Sequence, residues 1–282
     1  MVASLNTPAS FVSDFWHDQL VAQERQALFL VLVAFLASFG FIRLSARLGR
    51  SPRFSWWPGS VVSDSGVHLH HLVWGICLML GAGTAGFATF GSSPGLEICA
   101  ALFGIGAGLT IDEFALWVYL EDVYWSREGR ASIDAAVLAA AAMLLVLLGG
   151  RPFEPAERGS GLPLELVAGA IVISLGVICL AKQRLLHATV GCFVWPLALY
   201  GAARIAKPGS AWARRFYGNR SPRKQGKAQR RFHRDRHTER FKERFRDAVG
   251  GEPDEVYRAR LKQAAAVRDA AARIRERADR AP

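Results

Sequence analysis

The chain has 282 residues, 35 Lys+Arg against 24 Asp+Glu, a formal net charge of +11 and 51% hydrophobic residues. Its four cysteines (Cys77, Cys99, Cys179, Cys192) fall singly inside apolar runs, which excludes a disulfide-stapled secreted scaffold and matches no zinc pattern. The totals hide two unlike parts: residues 207–282 hold 23 Lys+Arg and 10 Asp+Glu, whereas residues 1–206 hold 12 and 14 together with the long apolar runs.

This pattern predicts an all-α polytopic membrane protein, with about six transmembrane helices followed by a basic helical C-terminal tail. Residues 1–26 form a polar N-terminal segment with scattered aromatics (Phe11, Phe15, Trp16). Asp14 and Asp18 stand where a signal peptide has a basic region, so no cleavable signal is expected. The membrane domain occupies 27–206, with spans expected over 27–44, 68–90, 96–120, 133–148, 164–181 and 185–205. Each approaches the roughly 20 apolar residues that a bilayer crossing needs. Trp56 and Trp57, just after the first span, suit the aromatic belt of an interface. Gly91-Ser92-Ser93-Pro94-Gly95 reads as a tight turn, and Pro196 as a kink in the sixth span. Small residues (Gly75, Gly81, Gly83 and Gly86, then Gly104, Gly106 and Gly108) predict that the second and third spans pack as a tight antiparallel hairpin. GIGAGL follows no strand and opens no soluble helix, so it is not a dinucleotide fingerprint.

The polar residues of interest converge on one face. If six spans alternate, the face bearing the first interhelical loop also bears His68, His70 and His71, the acidic residues Asp112, Glu113, Glu121 and Asp122, and Asp134, Lys182, Arg184 and His187. Ionisable groups at membrane depth are costly and therefore functional candidates. Two imidazoles with carboxylates form the ligand set of many transition-metal sites. The sharp expectation places a zinc, manganese or iron ion on His68, His71 and Asp112, with Asp112, Glu113 and Asp122 as catalytic carboxylates of a membrane hydrolase. The alternative is a satisfied polar network, or a proton relay, in which the carboxylates bond His, Thr110, Trp117 or Tyr119 and hold the helices in register. His70 is expected to face a neighbouring helix. Trp117, Tyr119, Tyr124 and Trp125 read as membrane anchors.

Counting positive charges gives two answers for orientation. Arg43, Arg47, Arg50, Arg53, Arg127, Arg130, Lys182 and Arg184 favour a cytoplasmic location for the first-loop face. The tail, with its 23 basic residues, favours the opposite one. Six crossings cannot satisfy both, so either one run is re-entrant or four arginines lie in an outside loop. The tail is expected to be cytoplasmic, against the anionic inner leaflet of the plasma membrane. Within it, 226–248 reads as a basic helix with an aromatic stripe (Phe232, Phe241, Phe245). Gly250-Gly251 breaks that helix, and Asp254-Glu255 opens a second helix running to about Arg277. The expected partners are the lipid bilayer and, through the tail, anionic headgroups. No nucleic-acid-binding motif is present.

The runs HLHHLVWGI, GIGAGLTIDEFALWVYLEDVYW and KPGSAWARRFY resemble a family of uncharacterised multi-pass integral membrane proteins of high-GC actinobacteria, over most of residues 40–230. The resemblance implies a membrane architecture and draws attention to His68, His70, His71, Asp112, Glu113 and Asp122, but implies no reaction. Three functional classes follow: a metal-dependent membrane hydrolase, a proton-coupled transporter or permease, and a structural scaffold with a partner-binding tail.

Overall fold

The structure is a computed structural model that describes residues 25–51, 54, 56–57, 70–88, 92–150, 162–217, 220–233 and 237–279. The described residues form twelve helices and no strand. The membrane body contains α1 (Gln26–Arg50), α2 (His71–Ala88), α3 (Gly95–Asp112), α4 (Phe114–Tyr119), α5 (Arg130–Leu147) and α6 (Leu162–Ala181). It ends with the short helices α7 (Leu185–Gly191) and α8 (Trp195–Ala203). The tail contains α9 (Ala211–Phe216), α10 (Pro222–Arg231), α11 (His237–Gly250) and α12 (Asp254–Asp279). Among the described residues, α1, α2, α3 and α5 are long and apolar enough to cross a membrane. The 20-residue α6 contains a shorter apolar stretch, Leu166–Ala181.

The body is organised around α3. A Cβ on Gly104 would meet Ala34 Cβ at 2.9 Å, and one on Gly108 would meet the Phe35 carbonyl at 2.8 Å, so this ridge lies against α1. Gly106 is turned about 200° from Gly104 at 100° per residue and faces α2. There a Cβ on Gly106 would lie 2.7 Å from the Gly75 carbonyl, and one on Gly75 would lie 2.8 Å from the Gly106 carbonyl. The expected α2–α3 hairpin is present, but the Gly104/Gly108 ridge serves the first helix instead. Small residues on both faces let one helix approach two neighbours closely, and dispersion contacts then supply the cohesion that lipid cannot. Phe35, Phe39, Ala107, Ile133 and Ala136 form the buried cluster where α1, α3 and α5 meet.

Two expected spans differ from the sequence reading. The third does not run unbroken to Leu120. It ends at Asp112, turns at Glu113 and resumes as the six-residue α4, which stops at Leu120 with φ +54°. The sixth is not one helix but the pair α7 and α8, joined by a turn at 192–194. Seven and nine residues reach roughly 10 and 14 Å, well short of a hydrocarbon core about 30 Å thick. The two run back to back, and a Cβ on Gly191 would lie 2.6 Å from Ala198 Cβ. Their outer ends are tied together. The Lys207 N–H donates to the Lys182 carbonyl (3.2 Å), and Arg184 Nε and Nη2 donate to the Ile205 carbonyl at 3.1 and 2.6 Å. The Lys182 ammonium donates to the Ala202 and Arg204 carbonyls. The chain therefore leaves this pair beside the point where it entered.

The tail is folded onto that face. The expected helix over 226–248 is two helices, α10 and α11. Ala206, Ala213, Tyr217 and Ala228 form a small buried cluster, with the Ala206 N–H donating to the Tyr217 hydroxyl at 3.1 Å. Arg246 on α11 grips Asp134 with two bonds, at 3.0 and 2.6 Å, the fork geometry that makes arginine pairs strong. Arg130 pairs with Glu243 and Asp247. Arg47 donates to the Ala248 carbonyl at 2.5 Å, and Arg50 to Asp254 at 2.6 Å. Gly251, at φ +80°, makes the break the sequence predicts, and α12 begins at Asp254 as expected.

Replacing Gly75 by Val should separate α2 from α3. The expected loss is about 1–3 kcal/mol, the usual cost of overpacking, measured by thermal unfolding in detergent. Gly81→Ala has open space around its Cβ and should be tolerated.

Candidate functional site

The site forms where three helix ends meet. Arg43 is the sole charged residue between Arg25 and Arg47 and is 4% exposed on the inner face of α1. Its Nε lies 2.5 Å from Oδ1 of Asp112, which is fully buried, and its Nη2 donates to the Asp112 backbone carbonyl at 3.1 Å. The guanidinium stacks over the Tyr124 ring at 4.5 Å and the Phe39 ring at 5.4 Å. The C-terminal end of a helix carries partial negative charge, so a carboxylate there is unfavourable unless a cation answers both. Arg43 answers both.

Glu113 solves a different problem. The first N–H groups of a helix have no intrahelical partner, and those of α2 point into protein. Glu113 Oε2 accepts from the Leu72 N–H at 2.9 Å, and Oε1 contacts Nδ1 of His70 at 2.8 Å and Nδ1 of His71 at 3.3 Å. A carboxylate at a helix N-terminus is favoured by the helix dipole. The other nitrogen of His71, Nε2, lies 3.3 Å from Asp112 Oδ2. His71 thus sits between two carboxylates.

The remaining contacts close the site. The Ser132 hydroxyl accepts from the Ala115 N–H at 3.0 Å, securing the start of α4. Burial, and then the Asp112 carboxylate, push the Tyr124 phenol well above its ordinary range, so it stays neutral. A cavity of about 10 Å³ touches His70, Asp112, Glu113, Asp122, Tyr124 and Ser132, which is about the space of one water molecule. A second cavity, also about 10 Å³, separates Arg43 from the tail turn at Gly250, Gly251 and Pro253. The tail therefore lies directly over the site.

The expected residues are only partly brought together. Asp112, Glu113, His71 and His70 meet, and His70 faces a neighbouring helix as expected. Asp122 borders the small cavity but is exposed, and its carboxylate accepts from the Tyr124 N–H at 3.2 Å, a local turn contact. His68 lies outside the described residues. Among those residues, no group of three or more His, Cys, Asp or Glu is arranged to hold a metal ion. The donor set has a physical conflict, because a guanidinium stands against the Asp112 carboxylate that a metal would need. Thr110 bonds the Gly106 carbonyl of its own helix at 2.8 Å, and Trp117 and Tyr119 are about half exposed, so these three are not carboxylate partners. His187 stacks on Tyr200 within the α7–α8 pair and stays apart from the cluster. Arg43 and Tyr124 are members the sequence reading missed. The legible signal for Arg43 was a lone arginine flanked by Phe41, Ile42 and Leu44. Tyr124 sits in a loop and carried none.

Comparison with protein-family models, with curated proteins and with solved structures finds no match to this chain.

Arg43→Met leaves Asp112 buried without its cation and should cost about 3–5 kcal/mol. The double variant Arg43→Met/Asp112→Leu should recover most of that stability. Chemical denaturation in detergent, followed by tryptophan fluorescence, measures both.

Proposed function

We propose that this is a multi-pass membrane scaffold: a five-crossing helical body whose buried Arg/His/Asp/Glu clasp locks α1, α2 and α3, and whose basic tail is fastened on the cytoplasmic face of the plasma membrane. The observation that carries this reading is the clasp's closure. Its charges answer one another or cap helix ends, and the adjoining space holds about one water molecule, too little for a lipid or peptide substrate. The tail docks over it through Arg47, Arg50, Arg130 and Arg246.

Counting α1, α2, α3, α5 and α6 as crossings and the α7–α8 pair as re-entrant puts the arginine-rich loops and the tail on one side. That side is then cytoplasmic by the positive-inside rule. The helix α12, exposed along much of its length, is the element offered to partners.

A proton-coupled transporter is the second reading. It is favoured by His71 standing between two carboxylates beside a water-sized cavity, the arrangement that passes protons in membrane relays. The metal-dependent hydrolase has less support, since Arg43 competes for Asp112.

Membrane-impermeant maleimide labelling in intact cells tests the topology in a background lacking the four native cysteines. Ser93→Cys, in the α2–α3 turn, should react directly, whereas Ser126→Cys and Ala265→Cys should react only after permeabilisation. Labelling of Ser126 and Ala265 from opposite sides would overturn the re-entrant assignment. In proteoliposomes the scaffold reading expects no proton flux and no stoichiometric zinc, manganese or iron. Flux abolished by Asp112→Asn, or metal lost on His71→Ala, would replace the scaffold with the transporter or the hydrolase.

A further inference from the structure

A cleft of about 300 Å³ lies where α5, the start of α7 and the tail helix α11 meet. It is unrelated to the buried clasp. Its apolar wall includes Val137, Leu186, Phe241 and Phe245, all substantially exposed. Its polar side carries four cations, Arg184, Lys207, Lys242 and Arg246, with Asp134 as the carboxylate among the lining residues. Asp134 is already gripped by Arg246, and Lys242 pairs with Glu239 at 2.9 Å. Arg184 is held by the Ile205 carbonyl. Lys207 has no carboxylate within ion-pair distance among the described residues. Burial first, and then the neighbouring Lys242 ammonium, hold the Lys207 ammonium below its ordinary range.

We propose that this cleft binds one anionic membrane phospholipid, with the phosphate between Lys207 and Lys242 and an acyl chain along Val137, Leu186 and Phe241. The cleft complements such a lipid in both charge and polarity. Asp134 opens the helical α5 within a turn or so of its start, and Val137 lies one turn deeper, so cations and apolar wall succeed each other as headgroup and acyl chain do in a bilayer. A phosphate there would supply the negative charge that Lys207 lacks. The apolar wall would remain in contact with hydrocarbon. The aromatic stripe of the tail thereby has a place: Phe232, Phe241 and Phe245 all line the cleft. A soluble nucleic acid would answer the cations but not the apolar wall.

The inference rests on the tail being docked at the membrane face, as proposed above, and two measurements separate the failures. Full-length protein in a neutral detergent is titrated with phosphatidylglycerol and followed by native mass spectrometry. Phosphatidylcholine, diacylglycerol, glycerol 3-phosphate and a short RNA serve as comparison probes. The expected result is saturable binding of one phosphatidylglycerol, weaker binding of each comparison probe, and weakening by added salt. Lys207→Gln and Lys242→Gln should each weaken it about fivefold, the worth of one basic residue at an anionic surface, while Lys262→Gln on exposed α12 should not. Phe241→Ser should weaken phosphatidylglycerol but not glycerol 3-phosphate. Equal binding of phosphatidylglycerol and phosphatidylcholine would overturn the proposal, as would a Lys207→Gln/Lys242→Gln double variant that binds like wild type. RNA binding without phosphatidylglycerol binding would also overturn it. Crosslinking of Arg130→Cys to Glu243→Cys by a short bis-maleimide, in a background lacking the four native cysteines, tests docking separately: if the crosslink fails to form, the tail reading is what has failed.

Discussion

Everything in the body depends on one buried ion pair, Arg43 with Asp112. Two charges cannot be left alone in a low-dielectric interior, where removing one partner is far costlier than the pair's own net contribution. Their meeting therefore fixes how far along α1 the end of α3 must lie. That register brings Gly104 and Gly108 against Ala34 and Phe35. It also places Glu113 at the N-terminal amides of α2. The second contact depends on the first: if α3 slid along α1, the α2 N-terminus would lose its cap. Small residues make the close approach affordable, and polar residues make it specific.

The helical membrane body, the α2–α3 hairpin and the tail break at Gly250-Gly251 were legible because they follow from local composition. So was the meeting of His71 with Asp112 and Glu113, since alternating helices place those positions on one face. What escaped was what depends on pairing across the fold. Arg43 lies in an apolar run whose composition says only that the helix spans. Its partner is 69 residues away, and no local pattern distinguishes it from the arginines at the helix end. The expected role of Asp112 as a metal ligand failed to anticipate a guanidinium already standing there. Likewise, the break at Glu113 has no glycine or proline to announce it. Its cause is tertiary: Glu113 has its carboxylate committed to α2.

The two charge counts conflict when residues 185–205 are read as a sixth crossing. Its length and hydropathy suffice for one, and hydropathy cannot tell one 21-residue helix from two short ones placed back to back. The distinction lies in Gly191 against Ala198 and Gly201 against His187, where a Cβ would come within 2.6 and 2.5 Å. Such close approach folds the run on itself. Under the re-entrant assignment proposed above, the basic loops and the basic tail no longer disagree.

The tail contacts also impose an order on biosynthesis. Arg47 and Arg50, at the end of α1, bond residues 248–254, about 200 positions later. At roughly 5–20 residues per second, α1 waits on the order of 10–40 s for partners made about 200 residues later. During that interval its terminal arginines face headgroups and water. The body can thus assemble while the face above Arg43 stays open, and the tail helices complete that face. Any chain ending before Ala248 would leave the face above Arg43 uncovered, a natural mark by which such copies differ from those that carry the tail.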